Sequence, residues 1–130
     1  MIVDASAVLA ILKKETNALV IAKALEASAL SRISAANWLE ASIVVDSRRD
    51  PVASRRFDEF VEQAKLVIEP VTESQAIIAR AAYRDFGKGS GHPAQLNYGD
   101  CFAYALAKTL GEPLLFTGSD FTHTDIKNAI

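Results

Sequence analysis

Short apolar segments that alternate with longer helical segments are the feature that most limits how this chain can fold. Strands are predicted at residues 2–4, 30–33, 66–69 and 113–117. Apolar residues recur at helical spacing over residues 6–14, 17–27, 35–47, 51–64, 73–86 and 97–110. Strands separated by helices predict an α/β fold in three layers, with a mostly parallel central sheet and helices on both of its faces.

Particular residues mark where the predicted helices begin and end. Asn17, Ser34 and Thr72 stand where a side chain can cap a helix. Pro51 suits the first turn of the fourth helix, and Gly111 suits the end of the sixth. Helical spacing also predicts the apolar face of the third helix and the inward face of the fifth, formed by Leu39, Ile43 and Val44 and by Ala76, Ile77, Ala79 and either Ala82 or Tyr83.

The composition fits a single compact domain over residues 1–130, which we expect to be soluble and cytoplasmic. Half of the 130 residues are hydrophobic and 23% are charged. No apolar run reaches the roughly 18 residues of a membrane span, and no basic segment precedes an apolar one at the amino terminus. The single cysteine, Cys101, excludes an intramolecular disulfide and a CxxC zinc site. The net charge of −2 does not indicate a class of partner.

Four acidic residues stand beside apolar elements and not in charged runs. Asp4 follows the first predicted strand and Asp120 follows the last, so both are expected at the sheet edge where parallel strands end. Asp100 lies in the first turn of its helix, and Glu40 lies in the middle of another. Together the four acids suggest one site for a divalent metal ion.

Each of these acids also has an ordinary structural explanation. Asp4 and Asp120 can cap helices, and Asp100 stands three residues after Asn97, as in a capping box. Glu40 can be an exposed, solvated side chain. Capping does not account for Glu40, because it interrupts an apolar helix and has no Lys or Arg four residues later with which to pair. The residues alone leave both explanations open.

Carboxylates without clustered histidine or cysteine favour Mg²⁺ or Mn²⁺ over zinc. Both ions prefer oxygen ligands, whereas His92 and His123 are isolated in the sequence. Carboxylates crowded into one site repel one another, and a cation relieves that repulsion. The reaction best suited to such a site is hydrolysis of a phosphodiester bond, assisted by one or two metal ions.

Several stretches of the sequence carry a family resemblance. They read IVDASA at 2–7, SAANWLEA at 34–41, HPAQLNYGDCFAYALA at 92–107 and LLFTGSDF at 114–121, followed by TDI at 124–126. In this order and over almost the whole chain, they resemble the VapC-type toxins of the PIN-domain ribonuclease family. The stretch at 92–107 is the most specific of them.

The resemblance implies a metal-dependent endoribonuclease with Mg²⁺ as its cofactor and Mn²⁺ as a possible alternative. It implies that the metal ligands and catalytic acids are Asp4, Glu40, Asp100 and Asp120. It also implies that Ser6 and Thr117 are supporting hydroxyls near the metal. Because this chain has Ser119 where some relatives carry a second acid, Asp125 is a possible substitute for the fourth ligand.

The resemblance further implies partners. A cognate VapB-type antitoxin is expected to wrap the toxin and obstruct its active site, and the toxin is expected to form a homodimer. The expected substrate is structured RNA, such as tRNA or a ribosomal RNA loop.

Basic and aromatic residues add only modest independent support for an RNA substrate. Arg80 and Arg84 are one helical turn apart and Lys88 follows, so that the three can line a path for RNA phosphates toward Asp100. A solvated helix face explains them equally well. Aromatic side chains such as Tyr98 can stack on unpaired bases, although aromatics at helical spacing more often pack in a core.

Two functions from other classes also fit parts of the pattern. Apolar helices at 8–12 and 39–45 can bind a partner helix in a groove, which would make the chain a catalytically weak interaction module of the same fold. A phosphatase with an aspartyl nucleophile also carries an acid after its first strand. It normally needs a second acid two residues later, where this chain has Ser6.

Overall fold

The computed structural model describes residues 1–130 and contains four strands and six α-helices. The elements are β1 (Ile2–Val3), α1 (Ala5–Leu12), α2 (Ala18–Ala27), β2 (Arg32–Ser34), α3 (Ala35–Asp46), α4 (Pro51–Gln63), β3 (Val67–Glu69), α5 (Glu73–Phe86), α6 (Tyr98–Leu110) and β4 (Leu114–Leu115), followed by a 3-10 turn over Asp120–His123. Every strand and helix predicted from the sequence is present, with ends that differ by a few residues.

The four strands form one parallel sheet in the order β3-β2-β1-β4. Successive strand residues face opposite sides, so Ile2 and Leu114 pack with α5 and α6, whereas Val3 and Leu115 pack with the helices α1 to α4. The central strand β1 and the strand β4 are therefore buried on both faces and read as continuous apolar runs. In the edge strand β3, Val67 is 40% exposed and Ile68 is 42% exposed. The three-layer α/β fold expected from the sequence is confirmed.

Side-chain caps fix the beginnings of several helices. Asp4 accepts a hydrogen bond from the backbone N–H of Ser6, and Ser34 accepts one from Ala36. Thr72 caps α5 as predicted. Asn17 stands at the capping position of α2 but makes no side-chain hydrogen bond there, so its predicted cap is wrong.

The carboxyl-terminal ends of α1 and α4 use a lysine in the left-handed backbone region. Lys14 has φ of 53° and Lys65 has φ of 50°. The residue after each lysine donates its N–H back across the last turn, to Ala10 O at 2.9 Å and to Val61 O at 3.1 Å. At the end of α6 the same conformation is adopted by Gly111, as the sequence predicted. Because α1 ends at Leu12, its predicted extension to residue 14 is wrong.

The inward face of α3 differs from the prediction. Its buried residues are Asn37, Ala41, Ser42 and Val45. Leu39 is 52% exposed and Ile43 is 59% exposed. Ser42 Oγ donates to Trp38 O at 2.7 Å and Asn37 Nδ2 donates to Gly99 O at 2.9 Å, whereas the buried Asn37 Oδ1 has no hydrogen-bond partner. The predicted apolar stripe of α3 therefore lies mostly on the surface.

The inward face of α5 is also rotated from the prediction. Ala79 and Ala82 are buried as expected, but the third buried residue is Gln75. Ala76 is exposed, Ile77 is 63% exposed and Tyr83 is 49% exposed. The helix packs against α6 through its small residues, which allow close approach and leave larger apolar side chains outside.

An ion-pair network centred on Arg32 links β2 to β3 and to the segment before β4. Arg32, at the start of β2, contacts Glu112 Oε1 through Nη1 at 2.6 Å and Glu69 Oε1 through Nε at 3.1 Å. Glu112 also accepts a hydrogen bond from the amino group of Met1. The contacts of Glu112 with Met1 and Arg32 lie at the amino edge of the sheet, opposite Asp4, whereas Glu69 is the last residue of β3.

None of the helices combines the length and the apolar character that crossing a membrane requires.

Candidate active site

One cavity of about 260 Å³ gathers the acids that the sequence singled out. It lies where β1 and β4 end, and we call it the acidic cavity. Carboxylates from four separate segments line it: Asp4, Glu40, Asp100 and Asp120. Ser6, Thr117 and Asn97 line it as well. The fold therefore brings together residues that are up to 116 positions apart in the chain.

Asp4 is held in place by the junction between β1 and α1. Its backbone N–H donates to Leu115 O at 2.9 Å, which continues the pairing of β1 with β4. Its Oδ2 accepts the Ser6 N–H at 3.0 Å, and the side chain is almost fully buried. The capping role and the position in the cavity therefore belong to the same carboxylate.

Asp100 is fixed by a capping box at the start of α6. Its Oδ2 accepts the N–H of Asn97 at 2.9 Å, while Asn97 Oδ1 accepts the N–H of Asp100 at 2.9 Å. These reciprocal bonds lock both side chains at the first turn. Asp100 is buried, so the capping box presents a desolvated carboxylate to the cavity.

Glu40 reaches the cavity from α3 and is supported by Asn37 and Gly99, which sequence reasoning missed. The buried Asn37 donates through Nδ2 to Gly99 O at 2.9 Å and, more weakly, to Glu40 Oε1 at 3.5 Å. A Cβ at position 99 would overlap the Glu40 carboxylate, so the carboxylate rests where only glycine leaves room. A glycine in the first turn of a helix was the available sequence signal, because alanine is ordinarily favoured there.

Asp120 and Thr117 belong to the segment that follows β4. The Thr117 N–H donates to Ser6 Oγ at 3.1 Å and ties this segment to the start of α1. Asp120 begins the 3-10 turn and is exposed, unlike Asp4 and Asp100. Asp120 and Glu40, which is also an exposed residue, therefore form the solvent side of the acidic cavity.

Burial and mutual repulsion raise the pKa values of the acids in this cavity. Burial raises the pKa of Asp4 against the lowering effect of its hydrogen bonds to Ser6. Burial, together with the negative charge of Asp4, raises the pKa of Glu40. Burial raises the pKa of Asp100 to about 7, with the charges of Asp4 and Asp120 adding to the rise. No nearby positive charge offsets these effects and returns the pKa values of the acids to their ordinary range.

The donor set fits a hard divalent cation. No Lys, Arg or His side chain lines the acidic cavity, and none of its acids takes part in an ion pair. Carboxylate and hydroxyl oxygens are the ligands that Mg²⁺ and Mn²⁺ prefer. No three of the side chains are drawn closely enough to form a finished set of metal ligands. Uncompensated carboxylates repel one another, and a bound cation offsets that repulsion.

Other residues proposed for the site lie elsewhere. Asp125 accepts hydrogen bonds from the Tyr104 hydroxyl and from Lys108 Nζ, both at 2.7 Å, and does not line the acidic cavity. The Lys108 and Tyr104 bonds hold the pKa of Asp125 below its ordinary value. This carboxylate is therefore already paired with a cation at a separate position.

The three predicted RNA-binding cations are divided by the fold. Arg80 and Lys88 line a second, larger cavity between α5 and α6. Arg84 points elsewhere and lies 3.3 Å from the Asp85 carboxylate, with most of its side chain exposed.

Comparisons with known proteins show the family to which the chain belongs. A family model described as PIN domain matches residues 1–127. Ribonuclease VapC28 of Mycobacterium tuberculosis is 58% identical over 130 residues, which cover all of this chain and 98% of that protein. The chain therefore belongs to the PIN-domain family, and within that family to the VapC ribonucleases. The family expected from the sequence is confirmed.

Solved structures with low sequence identity share the fold. VapC20 of Mycobacterium tuberculosis, described as a sarcin-ricin loop cleaving toxin, has a TM-score of 0.73 and 13% identity, and the match covers 96% of this chain and 95% of that one. A toxin-antitoxin complex from Klebsiella pneumoniae contains a chain with a TM-score of 0.72 and 16% identity, over 95% of this chain and 92% of that one.

Proposed function

We propose that this protein is the toxin of a toxin–antitoxin pair and acts as a Mg²⁺-dependent endoribonuclease on structured RNA, such as tRNA or a ribosomal RNA loop. One observation carries the proposal. Carboxylates from four distant segments line a single cavity that contains no positively charged side chain. The names of the relatives support the reaction class, and the description of VapC20 supports an RNA loop as the kind of substrate.

We propose that the cation is held by Asp4, Glu40, Asp100 and Asp120, with Mn²⁺ as an alternative to Mg²⁺. Divalent-metal dependence is general among ribonucleases of this family. A bound ion supplies charge stabilisation for the phosphodiester and a more acidic water as nucleophile. Because Asp4 and Asp100 are fixed by backbone hydrogen bonds, they are the firmest ligands of the set.

The chain's own groups position the substrate and move protons. Ser6 and Thr117 offer hydroxyl groups to the same cavity, where they can donate to a phosphate oxygen or to a water molecule. The amino ends of α1 and α6 also lie at the cavity, and the helix dipoles favour bound negative charge there. Asp120 and Glu40, the two exposed carboxylates, are the ones placed to pass a proton to bulk water.

We also propose the partners that the sequence predicted. A VapB-type antitoxin and a second copy of the chain each need an apolar surface, and the exposed Leu39 and Ile43 of α3 supply part of one. The same surface supports the alternative function, a catalytically weak module that binds a partner helix. We place the active protein in the cytoplasm, where its RNA substrates are, and treat residues 1–130 as one functional domain.

Cleavage assays on purified, antitoxin-free protein test the proposal. We expect RNA cleavage with Mg²⁺ or Mn²⁺, loss of cleavage on chelation, and a loss of about 100-fold or more in Asp4→Asn and Asp100→Asn, because removing even outer supports of a metal site costs about 10- to 100-fold. Asp58→Asn, which changes an exposed acid on α4, is the matched control. Unchanged cleavage in both cavity variants would refute the assignment. RNA binding or antitoxin binding without cleavage would favour the interaction module.

Mapping the ends of RNAs in cells identifies which RNAs the protein cleaves. Induction of the wild-type chain is expected to create new RNA ends that induction of Asp100→Asn does not create. Identical end profiles would contradict the ribonuclease function.

A further inference from the structure

A second cavity, of about 680 Å³, lies beside the acidic cavity between α5 and α6. We call it the aromatic cavity, because Tyr83, Tyr98 and Phe102 form much of its wall. Arg80 and Lys88 line it too, and no carboxylate does. Its volume falls in the range of about 300–1,000 Å³ that is usual for sites of organic ligands.

The two cavities are adjacent, because Asn97 lines both of them. Asn97 is the residue whose Oδ1 accepts the Asp100 N–H, so its side chain is fixed at the boundary. A ligand that occupies the aromatic cavity therefore lies next to whatever occupies the acidic cavity.

We propose that the aromatic cavity binds an unpaired nucleobase of the RNA, from the nucleotide next to the phosphate that occupies the acidic cavity. This inference rests on the proposed ribonuclease function. Aromatic side chains stack on bases of any sequence, and cations at the rim attract the flanking phosphates.

In the structure without RNA, the Tyr98 ring is already exposed and held in a fixed orientation. Tyr98 is 79% exposed, and its ring packs at 82° against Phe102 with 4.9 Å between ring centroids. Phe102 thus restrains the Tyr98 ring while most of its surface stays uncovered. On the opposite side, the Tyr83 hydroxyl donates to Lys88 O at 3.1 Å and holds that residue at the cavity.

The positive charge of the aromatic cavity favours a polyanion, and not a second copy of the chain, as the molecule that occupies it. Neither Arg80 nor Lys88 forms an ion pair, and the cavity wall offers no acid to either of them. A two-fold interface would place this surface against itself and bury uncompensated cations from both copies. Nucleotide phosphates would neutralise them.

A short single-stranded RNA that carries one 2-aminopurine tests the proposal, because stacking quenches the fluorescence of this base. Asp4→Asn protein is used as the parent so that the RNA stays intact. We expect quenching on binding, and we expect an added Tyr98→Ala change to abolish it and to weaken the Kd by roughly 5- to 150-fold. Tyr98→Phe keeps the ring and is expected to keep the quenching. Arg80→Ala is expected to weaken binding more than Arg84→Ala, which removes a charge one turn away.

Cleavage and oligomeric state, measured on the same changes in the wild-type background, complete the test. A higher KM with little change in kcat for Tyr98→Ala would support the base site. Unaltered Kd and quenching in both Tyr98→Ala and Arg80→Ala, in a protein that cleaves RNA, would overturn it and leave the ribonuclease function intact. Quenching without any cleavage would retain the base site and remove the ribonuclease function. A shift from dimer to monomer with quenching unchanged would identify the cavity as an interface between copies and overturn the proposal.

Discussion

The carboxylates of Asp4 and Asp100 accept hydrogen bonds at the starts of α1 and α6 and also line the acidic cavity. Structural and catalytic explanations of these residues are therefore not alternatives. A helix start holds a carboxylate with little side-chain freedom, which is what a metal ligand requires. The energetic cost appears in their raised pKa values.

Because holding a charged carboxylate at the buried position 100 costs folding free energy, we predict that Asp100→Asn stabilises the protein in the absence of divalent cations. Its pKa of about 7 in the folded chain lies above the ordinary value of 3.8, so the folded state binds the proton more tightly. Stability should therefore fall as pH rises from about 4 to 7, and the full penalty applies above that window. Asparagine keeps a hydrogen-bond acceptor for Asn97 without the charge.

Thermal unfolding in a chelator measures the effect. We expect the Asp100→Asn Tm to exceed the wild-type Tm by a few degrees at pH 8, and the two to converge near pH 4. Added Mg²⁺ should raise the wild-type Tm more than that of the variant. A variant Tm at or below the wild-type value at pH 8 would contradict the prediction.

Gly99 yields a second prediction at the scale of one residue. Because a Cβ there would overlap the Glu40 carboxylate, Gly99→Ala should displace that flexible side chain from the cavity. Alanine is otherwise favoured over glycine within a helix by up to about 1 kcal/mol. We therefore expect RNA cleavage to fall by about 10- to 100-fold while the Tm stays equal or rises.

Parallel cleavage and unfolding measurements separate these effects, with Glu40→Gln as the reference for loss of the carboxylate. Full cleavage activity in Gly99→Ala would show that the position of the Glu40 carboxylate does not require glycine at position 99. A large drop in Tm would show that the backbone, and not Glu40, had moved.

At the scale of elements, the carboxyl-terminal helix ends differ in which residue type adopts the left-handed backbone conformation. Lys65 adopts at the end of α4 the left-handed conformation that Gly111 adopts at the end of α6. A side chain in this conformation costs about 1 kcal/mol. We expect Lys65→Gly to raise the free energy of unfolding by about that amount and Gly111→Ala to lower it. Urea unfolding of both variants measures the difference, and effects of equal sign would contradict the explanation.

The same helix ends show what a sequence can and cannot predict. Gly111 predicted the end of α6, because glycine is the usual residue in the left-handed conformation that ends many helices. Lys14 gave no such signal, and α1 was predicted two residues too long. The strands and their mostly parallel direction were predicted from the alternation of strands and helices, whereas their order in the sheet was not predicted.

Burial on α3 was less predictable, because it depends on partners that are distant in the sequence. Asn37 is fully buried since its amide meets Gly99 O in α6. Leu39 and Ile43 are exposed although they are apolar. Propensity and spacing describe one helix at a time, whereas this packing is decided between α3 and α6. For the same reason, the residues that support Glu40 could not be predicted.

For the molecule as a whole, the two edges of the sheet have opposite electrostatic character. Uncompensated acids gather at the carboxyl edge, whereas the amino edge is held by Glu112 paired with Arg32 and with the Met1 amino group. The convergence of the acids on one edge was expected from topology for Asp4 and Asp120. For Asp100 and Glu40 it depended on the family resemblance, because helix packing was not yet known.

The amino edge predicts a dependence of stability on pH. Its hydrogen bond to the Met1 amino group, together with Arg32, lowers the pKa of Glu112 below its ordinary 4.5. A lowered folded pKa contributes stability above the unfolded value, and that stability is lost as pH falls through the folded one. We expect Glu112→Gln to cost about 1 kcal/mol at pH 7, and the difference from wild type to shrink as the pH falls below about 4.5.

Urea unfolding across this pH range tests the prediction. Glu59→Gln is the matched control, because Glu59 faces Arg55 at 3.8 Å in a far more exposed pair. We expect it to have little effect at any pH. Equal losses in the two variants would show that the amino edge gains nothing from its network.

The double use of Asp4 and Asp100 has an evolutionary consequence. Asparagine caps a helix about as well as aspartate does, and a single base change converts one codon into the other. Under the proposed function, selection against a harmful enzyme is therefore expected to favour copies in which one of these aspartates is asparagine, which are silenced but still folded. A folded but inert copy that still bound the proposed antitoxin would compete for it with active enzyme in the same cell.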